Sequence, residues 1–321
     1  MTWSIVNTLD LSGAPEAVTA LQAVGRLVTL PPERGRVLPA LGEADAYLAD
    51  ARVIVDDEFL DAAPNLKVIG SPSTGTDHMD LAAIDRRAIK HFDIAREREL
   101  LDSFTATSEL AFALLLAVIR QLKPAIDATL TGAWPRDRFT GFQLAGKTLG
   151  ILGLGRLGTI SARIGQGFGM NVIAHDVRSV SVPGVKMVTL DELLQRADVL
   201  TIHIHLNADT DGIFGPAAFA RMKPNAILLN TSRGRIVDEG ALIDALRSRR
   251  IAGAGLDVID GEWLSDEERR HHPLIAYARE HANLLISPHI AGATIESIYG
   301  ARVFMARKVA DHLRAISVRS R

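Results

Sequence analysis

The chain has 321 residues with 36 Lys+Arg against 38 Asp+Glu, a formal net charge of -2, so no global field steers it toward nucleic acid or an anionic membrane surface. With 47% hydrophobic and 23% charged residues, the composition is that of an ordinary globular protein of about two domains, which excludes disorder and fibre. A cysteine count of 0 removes disulfides, thiolate zinc, iron–sulfur clusters and cysteine nucleophiles together.

Short apolar runs alternate with amphipathic stretches throughout, the pattern of parallel strands covered by helices on both faces, and this predicts an α/β protein. The first section offers strands at Trp3–Val6, Gly25–Leu30, Ala51–Val55 and Leu66–Gly70, enough for a small open sheet. From Thr105 the sequence reads as a helix with a cap among Thr105–Ser108 and an apolar face too wide for solvent, so it is expected to be buried between domains or subunits. Its longest uninterrupted apolar run, Ala111–Ile119, falls short of the ~20 residues a bilayer requires. The N-terminal MTWSIVNTLDL has no basic-then-apolar leader pattern, so no membrane partner and a cytoplasmic location are expected. The stretch Leu130–Leu144 mixes Trp134, Pro135 and Phe139 with glycines and reads as a linking arm, and its aromatic residues beside the apolar helix predict a homodimer.

The second section runs through strands at Thr148–Leu152, Asn171–His175, Val199–His203, Ala226–Asn230, Ala252–Leu256 and Asn283–Ser287. Its first strand leads straight into Gly153-Leu154-Gly155-Arg156-Leu157-Gly158 and then a helix, the context that turns a glycine triplet into a dinucleotide fingerprint. Gly153 permits a tight turn, Gly155 lets backbone approach a pyrophosphate, and Gly158 lets the helix sit close to the strand while its N-terminal amides face the phosphates. Asp176 closes the next strand 18 residues after Gly158 (176 − 158), where a carboxylate accepts from ribose hydroxyls and repels a 2′-phosphate. NAD is therefore expected and NADP disfavoured, although Arg178, two residues on, offers a guanidinium that a 2′-phosphate would attract. The charged run Asp266–His272 is expected to be a solvated loop or helix end, and the final segment Ser297–Ile316 to return across the first domain.

The segments GKTLGILGLGRLG, MKPNAILLNTSRGRIVDE, AGLDV and SPHIAGAT, in this order, resemble the D-isomer-specific 2-hydroxyacid dehydrogenase family, with likeness extending from PNLKVIGSPSTGTDHMDL to the last helix. The resemblance implies an NAD-binding Rossmann domain at residues 101–289 and a discontinuous flavodoxin-like substrate domain at 1–100 and 290–321. It implies hydride exchange between a D-2-hydroxy acid and its 2-oxo acid. That reaction needs a cation for the carboxylate and a proton donor for the forming hydroxyl. Arg233, in a short turn after an apolar strand, fits the first role, and His289 with Glu262 fits the second as an acid–base dyad. The resemblance also assigns Ser73, Thr74 and Gly75 to the substrate carboxylate, and Arg156, Leu157, His203, Thr231, Ser232, Arg233, Asp257, His289 and Gly292 to the cofactor beside the three glycines and Asp176. Departures from the family pattern are Trp263, where proline commonly follows the glutamate, His205 for a common proline, and Asp50 where phosphoglycerate-type members place an arginine. Two other readings fit these motifs: an NAD(H)-sensing binding protein like the C-terminal binding protein corepressors, and a phosphite-type dehydrogenase.

Overall fold

The structure is a computed structural model that describes residues 2–319. The chain divides into two compact units, Met1–Phe104 with Ala293–Arg321, and Thr105–Gly292.

In the first unit β1 (Trp3–Asn7), β2 (Gly25–Thr29), β3 (Ala46–Leu48), β4 (Val68–Gly70) and β5 (Lys90–Phe92) form a parallel sheet of order β2-β1-β3-β4-β5, the flavodoxin-like arrangement. Successive side chains of a strand face opposite ways, and here both faces are apolar. Ile5, Leu48 and Val68 join one core with Leu21, Met305 and Val309, while their neighbours Val6, Tyr47 and Ile69 join another with Phe59 and Ile84. The last helix, Ile295–Arg319, returns to this unit and packs on helix Pro15–Gln22 and on β4. A Cβ built on Gly70 would lie 2.6 Å from Val309 Cγ2, so a glycine is what lets the helix lie this close.

The predicted strand Ala51–Val55 is a correction. The third strand is Ala46–Leu48, and Val55 makes only an isolated bridge to Met79. Val53 and Val55 are buried on either side of the exposed Ile54, which reproduces strand-like alternation in a loop that packs against the core.

The second unit adds β6 (Thr148–Leu152), β7 (Asn171–His175), β8 (Val185–Met187), β9 (Val199–Ile202), β10 (Ile227–Asn230), β11 (Gly253–Leu256) and β12 (Leu284–Ile286). Their order is β12-β11-β10-β9-β6-β7-β8, all parallel, with the chain reversing direction across the sheet between β6 and β9. That reversal is the Rossmann switch point, where ligands of open α/β sheets bind at the carboxyl ends of the strands. By length and composition the segment Arg98–Ile119 is apolar enough to cross a bilayer, but it runs as two helices, Arg98–Asp102 and Ala106–Ile119. The second spends Phe112, Leu115, Val118 and Ile119 on the core of its own sheet, where it lies over Gly253 and Gly255 of β11. Its apolar face thus belongs to this unit. Thr105 makes no capping bond to the helix backbone, and its hydroxyl bonds Glu109 instead.

Candidate functional site

The loop after β6 gives each of its three glycines a different surrounding. Gly153 has φ +92, and a Cβ there would sit 2.7 Å from the His203 carbonyl oxygen. A Cβ on Gly158 would sit 2.1 Å from the Gly153 carbonyl oxygen, so the helix Arg156–Gly167 meets the turn backbone to backbone. Gly155 differs: the nearest atom to a Cβ built there is Arg178 Nη2 at 3.7 Å, which leaves room above the helix N-terminus for a pyrophosphate. Arg156 and Leu157 open that helix, and the Leu157 carbonyl accepts from Ser108 Oγ at 3.0 Å.

Asp176 follows β7 with its side chain 5% exposed. Its Oδ2 accepts from the Leu154 amide at 2.8 Å, and both oxygens accept from the Arg178 guanidinium at 3.0 Å. The Arg178 bonds, with the Arg178 and Leu154 amides, hold the carboxyl down to about 2 against the opposing effect of burial. The carboxylate is thus fixed and charged, and Arg178 lies over it as a partner.

The end of β10 carries Thr231, Ser232 and Arg233. Buried Asn230 brackets this turn: its amide donates to the Arg233 carbonyl at 2.9 Å and its Oδ1 accepts from the Ser232 amide at 3.0 Å. Ser232 Oγ donates to the Ile202 carbonyl at 2.9 Å, tying the turn to β9. Next to it, at the end of β9, His203 Nε2 lies 2.9 Å from Ser161 Oγ and 3.1 Å from Thr201 Oγ1, and burial lowers the imidazole to about 4. Thr231 Oγ1 and His203 Nδ1 are buried with no hydrogen-bond partner among the described residues. Unpaired buried polar atoms beside an open glycine cradle fit a polar ligand that completes them, as a nicotinamide dinucleotide does.

His289 and Glu262 meet: Nδ1 donates to Oε1 at 2.9 Å. This bond, above all, raises the His289 pKa, with nearby Asp257 adding and the positive charge of Arg233 opposing. Arg233 therefore stands near enough to act on the same imidazole. Glu262 Oε2 is buried without a partner. Trp263 is 67% exposed, with its ring centroid 6.1 Å from that of His289. His289 has φ +53, an uncommon backbone state for a side chain with a Cβ. Asp257, 1% exposed, enforces it: its carboxylate accepts from Ser287 Oγ, from the Ile290 amide at 3.0 Å and from the Ala291 amide at 2.6 Å, while its carbonyl accepts from the His289 amide at 2.9 Å. The bonds accepted by the Asp257 carboxylate thus go to the turn that presents His289. Gly292 follows that turn, exposed.

In the first unit, Ser73, Thr74 and Gly75 form the bend after β4. Ser73 Oγ donates to the Gly75 carbonyl at 2.8 Å and lies 2.8 Å from Ser71 Oγ, which in turn lies 3.3 Å from His78 Nε2. Burial lowers the His78 pKa, so a neutral imidazole backs the loop. Asn230 and Ser71 had no sequence signal beyond lying beside the motifs. Their roles rest on side-chain bonds that only the folded turn creates.

A Rossmann unit with a built dinucleotide cradle, joined to a flavodoxin-like unit, defines a class of two-domain nucleotide-binding α/β proteins. Within it, this chain belongs to the D-isomer specific 2-hydroxyacid dehydrogenase family: the family's NAD binding domain matches residues 112–291 and its catalytic domain residues 6–98. The second unit is an NAD-binding domain. The chain is 37% identical over 297 residues to a glyoxylate reductase of Thermococcus litoralis, covering 89% of this chain and 84% of that protein. It is 36% identical over 292 residues to D-3-phosphoglycerate dehydrogenase of Mycobacterium tuberculosis, covering 88% of this chain but 52% of the other, so it spans about half the length of that relative. Among solved structures, a D-lactate dehydrogenase from Aquifex aeolicus complexed with NAD and lactic acid superposes with a TM-score of 0.81 at 26% identity, over 97% of this chain and 96% of that one.

Proposed function

We propose that the protein is an NAD-dependent D-2-hydroxyacid dehydrogenase that reduces a 2-oxo acid, and oxidises the corresponding 2-hydroxy acid in reverse. The observation that carries this reading is the 2.9 Å bond between Glu262 Oε1 and His289 Nδ1, with Arg233 close enough to act on the imidazole. NADH, when bound at Gly153–Gly158, supplies the hydride. Arg233 holds the substrate carboxylate with its planar fork and polarises the adjacent carbonyl. His289, kept protonated by Glu262, donates its Nε2 proton to the oxygen as the hydroxyl forms, and takes a proton back in oxidation. Support for an unphosphorylated acid comes from Asp50, whose carboxylate is already paired with the Arg52 guanidinium at 2.8 and 2.9 Å.

The same reading makes the protein cytoplasmic, without nucleic-acid or membrane partners, and a homodimer. What supports the dimer is the exposure of Leu122, Ile126 and Leu130, at helical spacing on one face of helix Leu122–Leu130, next to Trp134 at 82% exposure. Light scattering at the monomer mass would remove that part. The reaction is tested by NADH consumption with glyoxylate, hydroxypyruvate, pyruvate, bulkier 2-oxo acids and 3-phosphohydroxypyruvate. Turnover that vanishes in Arg233→Ala is expected, and His289→Ala should lower kcat by roughly 10²–10⁴-fold with NADH affinity kept. Tight NADH binding without turnover of any acid would defeat the proposal and favour a nucleotide sensor.

A further inference from the structure

Behind the dyad lies a second buried acid–base pair. Glu239 opens helix Glu239–Arg247 and His272 precedes helix Pro273–Glu280. Although His272 ends the charged run Asp266–His272, it is 8% exposed, against the expectation of a solvated segment. The reason is the backbone of one residue. The Asp260 amide donates to Glu239 Oε1 at 2.7 Å, and the Asp260 carbonyl accepts from His272 Nε2 at 2.8 Å. The two side chains also meet each other, Nε2 to Oε2, at 3.2 Å. Burial pushes the Glu239 carboxyl up, the His272 charge opposes this, and the carboxylates of Asp260 and Asp238 push it further up.

The Ile259–Asp260 peptide, whose N–H Glu239 holds, is shared footing for the site. A Cβ on Gly234 would lie 2.1 Å from the Ile259 carbonyl carbon and 2.3 Å from the Asp260 nitrogen, so the Arg233–Gly234 turn rests directly on it. Glu262 is two residues further along, with its own carbonyl held by Arg269 at 2.9 Å. We propose that Glu239 and His272 are positioning residues that clamp the two peptides flanking the Asp260 Cα and thereby fix Glu262, and through it the His289 imidazole, against Arg233. The inference rests on the proposed function for its kinetic consequence, but the clamp itself has a readout that needs no turnover.

That readout is the titration of His289, followed by NMR of its imidazole in the full-length protein, because the Glu262 bond raises it only while Glu262 is held in place. In His272→Ala the His289 titration should move to lower pH. His272→Gln, whose amide can still donate to the Asp260 carbonyl, should restore most of it. Glu239→Gln keeps the acceptor but loses the charge and should fall between. In steady state, His272→Ala should lose kcat by roughly 10-fold to 10²-fold, with the NADH Kd within about twofold, since misplacing a reacting group by about an ångström costs this much. A His289 titration unchanged in His272→Ala and in Glu239→Gln, together with wild-type kcat, would overturn the clamp; should His272→Ala not fold, Glu239→Gln decides it. If the wild type reduces no 2-oxo acid, the proposed function fails while the titration still judges the clamp.

Discussion

Replacing Asp257 by asparagine tests whether the left-handed turn at His289 is held by one buried carboxylate. Asp257 is 1% exposed and accepts from Ser287 Oγ and from the Ile290 and Ala291 amides. Asparagine keeps the shape and one acceptor oxygen, but turns an NH₂ toward at least one amide donor. Leaving a buried donor unsatisfied costs about 1–3 kcal/mol, and bonds to a charged acceptor are stronger than to a neutral one, so the loss should be about 2–3 kcal/mol. At ~2–4 °C per kcal/mol for a domain of this size, the thermal midpoint should fall by roughly 4–12 °C. His289→Asn is the companion: asparagine tolerates positive φ well, so this variant should keep its midpoint within about 2 °C while losing turnover. Calorimetry on both variants, with NADH consumption alongside, reads the outcome. If Asp257→Asn unfolds at the wild-type midpoint, the three bonds do not hold the turn and the account of His289 is wrong.

Gly158→Ala should raise the NADH Kd at least ~10-fold, about 1.4 kcal/mol, because its Cβ would lie 2.1 Å from the Gly153 carbonyl oxygen and must displace the phosphate-binding turn; fluorescence titration with NADH measures this. Since Glu262 raises the His289 pKa, reduction should lose kcat/KM as pH rises through a value above that of an ordinary histidine, and Glu262→Ala should move that limb to lower pH; a pH profile of each enzyme decides it. His203 is lowered from 6.5 to about 4, so between these values the unfolded chain binds the extra proton and stability falls as pH falls. Urea midpoints of wild type should therefore drop between pH 6.5 and 4 more steeply than those of His203→Asn.

Much of this site was legible because the chemistry is local in sequence. Gly153–Gly158 sit between a strand and a helix, Arg233 in a four-residue turn, and His289 between strand and turn; each announces its place by what precedes it. The third strand of the first unit, Ala46–Leu48, is three residues long, too short for periodicity to outweigh the alternating Val53 and Val55 nearby. The edge strand Val185–Met187 has the same handicap. The apolar helix Ala106–Ile119 was correctly buried but given the wrong cover, because nothing in its own residues reveals that Gly253 and Gly255, more than 130 positions on, leave it a place on its own sheet. His272 was hidden by its charged neighbours. A burial that depends on a bond to the Asp260 carbonyl cannot be read from composition.

These omissions share a cause with the site's energetics. Among the described residues, the buried side-chain atoms left without partners are His203 Nδ1, Thr231 Oγ1, Glu262 Oε2 and His272 Nδ1, at or behind the carboxyl ends of β9, β10 and β11. Each such atom costs about 1–3 kcal/mol in a protein whose stability is about 5–15 kcal/mol, so a fold selected for stability alone would not gather them in one region. His203 shows the logic. The hydroxyls of Ser161 and Thr201 lie 2.9 and 3.1 Å from its Nε2 and engage that nitrogen, so Nδ1 is left buried without a partner in either tautomer. Burial keeps the ring neutral at any pH well above 4, so the unmet Nδ1 persists there. Local sequence rules describe how a chain satisfies its own polar groups; here the deficit is the signal, since it marks where a ligand's polar groups complete what the fold leaves open.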